Sequence, residues 1–187
     1  MANLALRYIT LVDEAALAVK QFDNAENMSL QMPALACLIR SGKGDNAVQK
    51  FYAQWRHERL VIDKWFSIQV INCDPMKVVS IARSLLAHTD FTLTNPNRFR
   101  SLIGALAMTP AAFHQPDGSA YALVADQLIA LDDLNPQLCA RMTTVFETWR
   151  RYDANRQAMM MAALQRIAAK PKLSRDTREM VTRLLDT

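Results

Sequence analysis

The side chains able to do chemistry in this chain are few and scattered. His57-Glu58 begins like the zinc motif HExxH, in which two histidines four residues apart reach one metal from the same helical face. Leu60 and Val61 follow, so the second ligand position holds an aliphatic residue and the motif is absent. His88 and His114 are distant from each other, and Cys37, Cys73 and Cys139 form no CxxC pair. An odd number of cysteines among apolar residues reads as buried free thiols in a reducing compartment. With 4 glycines in 187 residues, no phosphate-cradling loop, GxSxG elbow or paired-glycine turn is present. No metal, no cofactor and no catalytic residue is therefore expected within the chain. One arrangement is left to weigh. Gln137 and Arg141 stand four apart and share a helical face with Thr144, beside the apolar stripe. Such a face is either simply solvated or a place where an arginine fork grips a carboxylate.

The elements that would carry these residues are helices. Asp74-Pro75, Asn95-Pro96 and Asn135-Pro136 each read as a helix start, because the Asx side chain caps free N–H groups and proline suits the first helical position. Helically spaced apolar sets follow: Val78, Val79, Ala82, Leu85 and Leu86; then Phe99, Leu102, Ile103 and Leu106; then Leu138, Met142, Val145, Phe146 and Trp149. Val61 to Ile71 is apolar nearly all round and is expected at the centre. Breaks are expected at Ser41 to Gly44, Pro110, Gln115 to Gly118, Asp153 and Lys170 to Lys172, with Ser174 capping the last helix. Roughly ten helices result, and no stretch has the composition of an interdomain linker.

Composition agrees. The chain is 51% hydrophobic and 21% charged, which fits one core-forming domain, residues 1–187, and excludes a disordered chain. No apolar run of about 18 residues is present and the N-terminus lacks a basic, then apolar leader, so neither a membrane partner nor export is expected. The net charge of +4 is uneven: ten Lys/Arg face five Asp/Glu from Arg141 onward, against twelve and thirteen before it. Few aromatics interleave with the basic residues, so the charge reads as a solvated helix face and no nucleic-acid partner is expected. Antiparallel helix pairs at a spacing of about 35–45 residues suggest an all-α superhelical array of HEAT or armadillo type, with a helical bundle as the competing architecture. The first helix opens at Asn3-Leu4-Ala5-Leu6 without a cap, as expected of a piece of a longer chain.

Several long segments carry a family resemblance. Leu60-Val61-Ile62-Asp63-Lys64-Trp65-Phe66, Asn95-Pro96-Asn97-Arg98-Phe99-Arg100-Ser101-Leu102-Ile103-Gly104-Ala105, Pro110-Ala111-Ala112-Phe113-His114 and Asp117-Gly118-Ser119 follow in order. Together they closely resemble the C-terminal helical domain of bacterial aminopeptidase N, in the gluzincin-type membrane alanyl aminopeptidase family. Asn3 to Tyr8, Asn135-Pro136-Gln137 with Arg141, and Arg151-Tyr152-Asp153-Ala154 with Arg156-Gln157 extend the resemblance over nearly the whole chain. Leu106 and Ala120 depart from the residues usual in the family, and the loop before Pro110 is shorter.

The resemblance implies a cytoplasmic zinc metallopeptidase that removes N-terminal residues from peptides. It implies that zinc and the HExxH site lie in the catalytic domain of the same polypeptide, which is this domain's partner. Gln137 and Arg141 would line the substrate chamber and orient the peptide, Asn97, Arg98 and Arg100 would tie repeats or the domain junction, and Trp65 and Phe66 would be core. The chain by itself is expected to be inactive. The alternative is a free-standing helical-repeat module that binds a peptide or protein.

Overall fold

A computed structural model describes residues 2–186. Every regular element among them is helical, and the chain forms two compact units, Met1–Asp74 and Pro75–Thr187.

The first unit contains α1 (Ala2–Ile9), α2 (Ala16–Asp23), α3 (Met28–Arg40), α4 (Asp45–Trp55) and α5 (Arg59–Asn72). Its helices pack in two ways. Sequence neighbours pair, α2 with α3 and α4 with α5, while α1, α3 and α5 stack side by side in a row. That i, i+2 stacking is how helix pairs build a repeat array. Asn27 caps α3, its side chain accepting from the Leu30 N–H at 3.1 Å. On α5, Ile62, Trp65, Phe66, Ile68 and Val70 are buried, but Ile71 is exposed and Val61 only half-buried. This differs from the all-round burial expected of Val61 to Ile71: α5 packs on α3 and α4, which leaves one flank outside.

The second unit opens with a 3-10 turn at Pro75–Lys77 and α6 (Val78–Leu86), followed by α7 (Pro96–Phe99) and a π-helical turn, Arg100–Gly104. Then come α8 (Ala105–Ala107), α9 (Pro110–Phe113), α10 (Ser119–Asp132) and α11 (Pro136–Thr143). Two 3-10 turns, Thr144–Phe146 and Trp149–Arg151, lead to α12 (Ala154–Ala168) and α13 (Arg175–Asp186). Here too two rows form. α10 stacks on α12 and α11 on α13, while α10 pairs with α11 and α12 with α13. The core is α10, whose Tyr121, Leu123, Val124, Ala125, Leu128 and Leu131 are all buried. Of the three expected Asx-Pro helix starts, Asp74-Pro75 opens a 3-10 turn, with α6 beginning only at Val78, and the other two cap α-helices. The Asn95 side chain accepts from the Asn97 and Arg98 N–H groups, and that of Asn135 accepts from Leu138. Asp153 caps α12 through the Arg156 N–H, and the Ser174 hydroxyl accepts from the Thr177 N–H at the start of α13.

Candidate functional site

The polar stripe lies on α11, a helix with one packed and one open side. Leu138, Cys139, Ala140, Met142 and Thr143 are buried, against α10 and α13, whereas Gln137 and Arg141 are exposed one turn apart. The half-buried Thr144 donates its hydroxyl to the Arg141 carbonyl at 2.7 Å, and Thr143 donates likewise to Cys139 at 2.9 Å. Beneath them the Cys139 thiol donates to the Leu128 carbonyl at 3.2 Å, and burial pushes its pKa up to about 11, so it stays a packing thiol rather than a nucleophile. The Arg141 guanidinium pairs with no carboxylate among the described residues. A rigid helix thus holds a guanidinium fork and a carboxamide in water, the donors suited to a carboxylate and a peptide backbone.

Asn97, Arg98 and Arg100 part company. Arg98 is 5% exposed, and its guanidinium donates to the Asp90 carbonyl, pinning the loop of residues 87–95 to α7. Asn97 and Arg100 are exposed on either side of it. Trp65 and Phe66 lie in the first unit, buried and edge-to-face with ring centroids 5.0 Å apart. The Trp65 indole N–H donates to the Val48 carbonyl at 3.0 Å, joining α5 to α4.

Sequence reasoning missed the densest polar cluster, which is built around His114. Its Nδ1 lies 2.8 Å from the Tyr121 hydroxyl and its Nε2 lies 2.7 Å from that of Tyr152, on which the ring also stacks at 4.0 Å. The Arg156 Nε donates to the His114 carbonyl at 2.9 Å while its Nη1 pairs with Asp153 at 2.6 Å. The available clue was the pairing of two distant segments within one resemblance, Pro110 to His114 and Tyr152 to Gln157. Burial, and then the Arg156 charge, hold His114 below its ordinary 6.5, and burial raises Tyr121 to about 12. Between the ordinary and the lowered histidine value the unfolded chain binds more protons than the folded one. Stability therefore falls as pH drops through 6.5 and levels off below the folded value. Urea unfolding at stepped pH should show this fall in the unsubstituted chain and a flatter profile in His114→Gln; parallel profiles would remove His114 as the cause.

Zinc does not fit the residues present. Among the described residues no three His, Cys, Asp or Glu side chains converge as a metal site. His114 has both ring nitrogens engaged by tyrosine hydroxyls, and the Nδ1 of His88 accepts from the Asp90 N–H.

Rows of stacked helix pairs define a helical-repeat domain, and the chain belongs to the family described as a domain of unknown function, DUF3458_C, with ARM repeats, whose model matches residues 1–186. More particularly, it is similar to the C-terminal domain of aminopeptidase N. Aminopeptidase N of Escherichia coli (strain K12) is 37% identical over 191 residues, 99% of this chain and 22% of that protein. That of Haemophilus influenzae is 36% identical over 189 residues, again covering 99% and 22%. Among solved structures, Legionella pneumophila aminopeptidase A in complex with aspartic acid matches 98% of this chain and 22% of its own, with a TM-score of 0.91 and 35% identity. The chain thus spans about a fifth of the length of the curated relatives it matches.

Proposed function

We propose that this chain is the non-catalytic C-terminal domain of a zinc aminopeptidase that removes N-terminal residues from peptides in the cytoplasm. It caps the catalytic domain of the same polypeptide, which holds the zinc, and forms one wall of the substrate chamber. The observation that carries this reading is the exposed pair Gln137 and Arg141 on the open side of α11, in a chain similar throughout to aminopeptidase N. Arg141 grips a carboxylate of the peptide beyond the bond to be cleaved through two parallel N–H···O bonds. Gln137 pairs with the peptide backbone, and Asn97 and Arg100 serve the junction with the rest of the enzyme. None of these groups moves a proton or binds metal. Their work is to orient the chain and to restrict entry.

The isolated 187-residue chain is accordingly expected to leave alanyl arylamide substrates uncleaved with or without added zinc. Zinc-dependent release that copurifies with the chain through successive columns would overturn the reading. No helix among the described residues is long and apolar enough to cross a membrane.

A further inference from the structure

Gly118 turns the chain into α10 with a φ of +67°, a conformation that suits a residue without a Cβ. It is buried, and its cover comes from α12. A Cβ placed on Gly118 would collide with the Met159 sulfur and lie 3.2 Å from the Cβ and Cγ of the same side chain. The thioether therefore fills the space where a side chain at 118 would stand. Two polar ties flank this contact: the Asn155 side chain donates to the Pro116 carbonyl at 3.3 Å, and the Arg156 Nε to the His114 carbonyl at 2.9 Å. Residues 155, 156 and 159 stand at i, i+1 and i+4, so one face of α12 clamps the turn from His114 to Gly118.

The sulfur is packed but not sealed. Met159 is half-buried and lines a cavity of about 190 Å³ between α10 and α12, whose rim residues Asp117, Ala162 and Arg166 are exposed. That space is far larger than a water-sized molecule requires, so a small hydroperoxide reaches the thioether. The neighbouring Met160, 1% exposed, is shielded. Met108, just after α8, is 80% exposed and has little packing to lose.

We infer that Met159 is a modification site: a hydroperoxide converts it to the sulfoxide, and the sulfoxide releases the turn from His114 to Gly118. The sulfur lone pair attacks one oxygen of hydrogen peroxide, and the S–O bond forms as the O–O bond breaks. Sulfur gives up two electrons, and the proton of the transferred oxygen passes to the leaving one, which departs as water. The product is polar and bulkier at the atom that touches Gly118. Its oxygen needs hydrogen bonds that an apolar contact does not give, so the flexible side chain swings out toward the cavity and water. Asn155 and Arg156 then hold the turn through its carbonyls alone, without the apolar cover.

Graded hydrogen peroxide on the full-length protein, followed by site-resolved mass spectrometry and amide exchange, tests it. Met108 should oxidise first and leave exchange unchanged. As the Met159 sulfoxide forms, the amides of Gly118 and Ala122, which donate to the Gln115 and Gly118 carbonyls, should exchange roughly tenfold faster. Amides of α5 should keep their rates, which separates local release from global unfolding. Met159→Leu keeps the apolar volume and removes the sulfur, so its turn should stay protected through the same treatment. Enzymatic reduction of the sulfoxide should restore slow exchange without any substitution. The inference is overturned by a Met159 that stays unmodified when Met108 is fully oxidised, or by a sulfoxide at 159 that leaves exchange unchanged. Release that spreads to α5, persists after reduction or appears equally in Met159→Leu overturns it as well.

Discussion

Trp149→Ala is expected to destabilise the second unit by about 3–5 kcal/mol, the range for truncating a buried aromatic. Trp149 is nearly buried in the short 3-10 turn Trp149–Arg151. Its indole N–H donates to the Leu184 carbonyl at 3.0 Å, and the Arg150 guanidinium lies 4.0 Å from the ring centroid. Arg150 in turn donates to the carbonyls of Leu184 at 3.0 Å and Leu185 at 2.8 Å. Two neighbouring residues therefore satisfy carbonyls in the last turn of α13, which have no partner within the helix. The substitution removes both the apolar anchor and one of these donors, and it frees Arg150 from its ring. Trp149→Phe separates the effects: it keeps most of the burial and should lose only about 1 kcal/mol for the hydrogen bond. Chemical denaturation followed by circular dichroism measures both; similar losses for the two variants would show that the hydrogen bond, not the burial, dominates.

The second large effect is expected at Asp132, the last residue of α10 and 2% exposed. Its carboxylate accepts from the Ser174 N–H at 2.9 Å and from the Ser174 hydroxyl, and it pairs with Lys170 at 3.4 Å. The cap of α13 and the turn before it thus hang on one charge at the end of α10. Burial raises the Asp132 pKa, but hydrogen bonds from Ser174, Thr177 and Lys170 outweigh it and leave the carboxyl below its ordinary 3.8. Asp132→Ala should cost on the order of 3 kcal/mol, since it strips buried donors of their charged acceptor. Because the folded pKa is depressed, the stabilisation is complete above 3.8 and is lost as pH falls through the folded value. Unfolding curves of the unsubstituted chain and Asp132→Ala should therefore converge in strong acid; a constant gap at every pH would mean that packing, not charge, explains the loss.

Much of this fold was legible in the sequence because its punctuation is local. Asn95-Pro96, Asn135-Pro136, Asp153 and Ser174 act within one turn of themselves, so residue type alone places the caps. The apolar sets Phe99, Leu102, Ile103, Leu106 and Leu138, Met142, Val145, Phe146, Trp149 are all buried except Val145, which is half-buried. Periodicity could not foresee that the backbone beneath them leaves the α-helix. Arg100–Gly104 winds as a π turn, and α11 tightens into 3-10 geometry after Thr143. At the second place the cause is visible: the Thr143 and Thr144 hydroxyls bond back to carbonyls of the preceding turn, competing with the helix ladder. The polar stripe was also legible, since Gln137 and Arg141 need only α11 to share a face. The cluster of His114, Tyr121 and Tyr152 was not, because Tyr152 lies 38 residues from His114 and only tertiary packing brings them together. The zinc motif comparison at His57-Glu58 failed on a single position, Val61.

The central claim is that α11 forms a wall of a peptide chamber, and it is tested most directly by Arg141→Ala in the whole enzyme. The exposed guanidinium contributes little to stability, so the variant should fold and, if α11 meets only the part of a peptide beyond the cleaved bond, keep its activity on an alanyl arylamide. Losing a charged hydrogen-bond pair of about 1.5–3 kcal/mol should lower kcat/KM for longer peptides roughly 10- to 100-fold. Equal effects on the short and the long substrate would contradict the account.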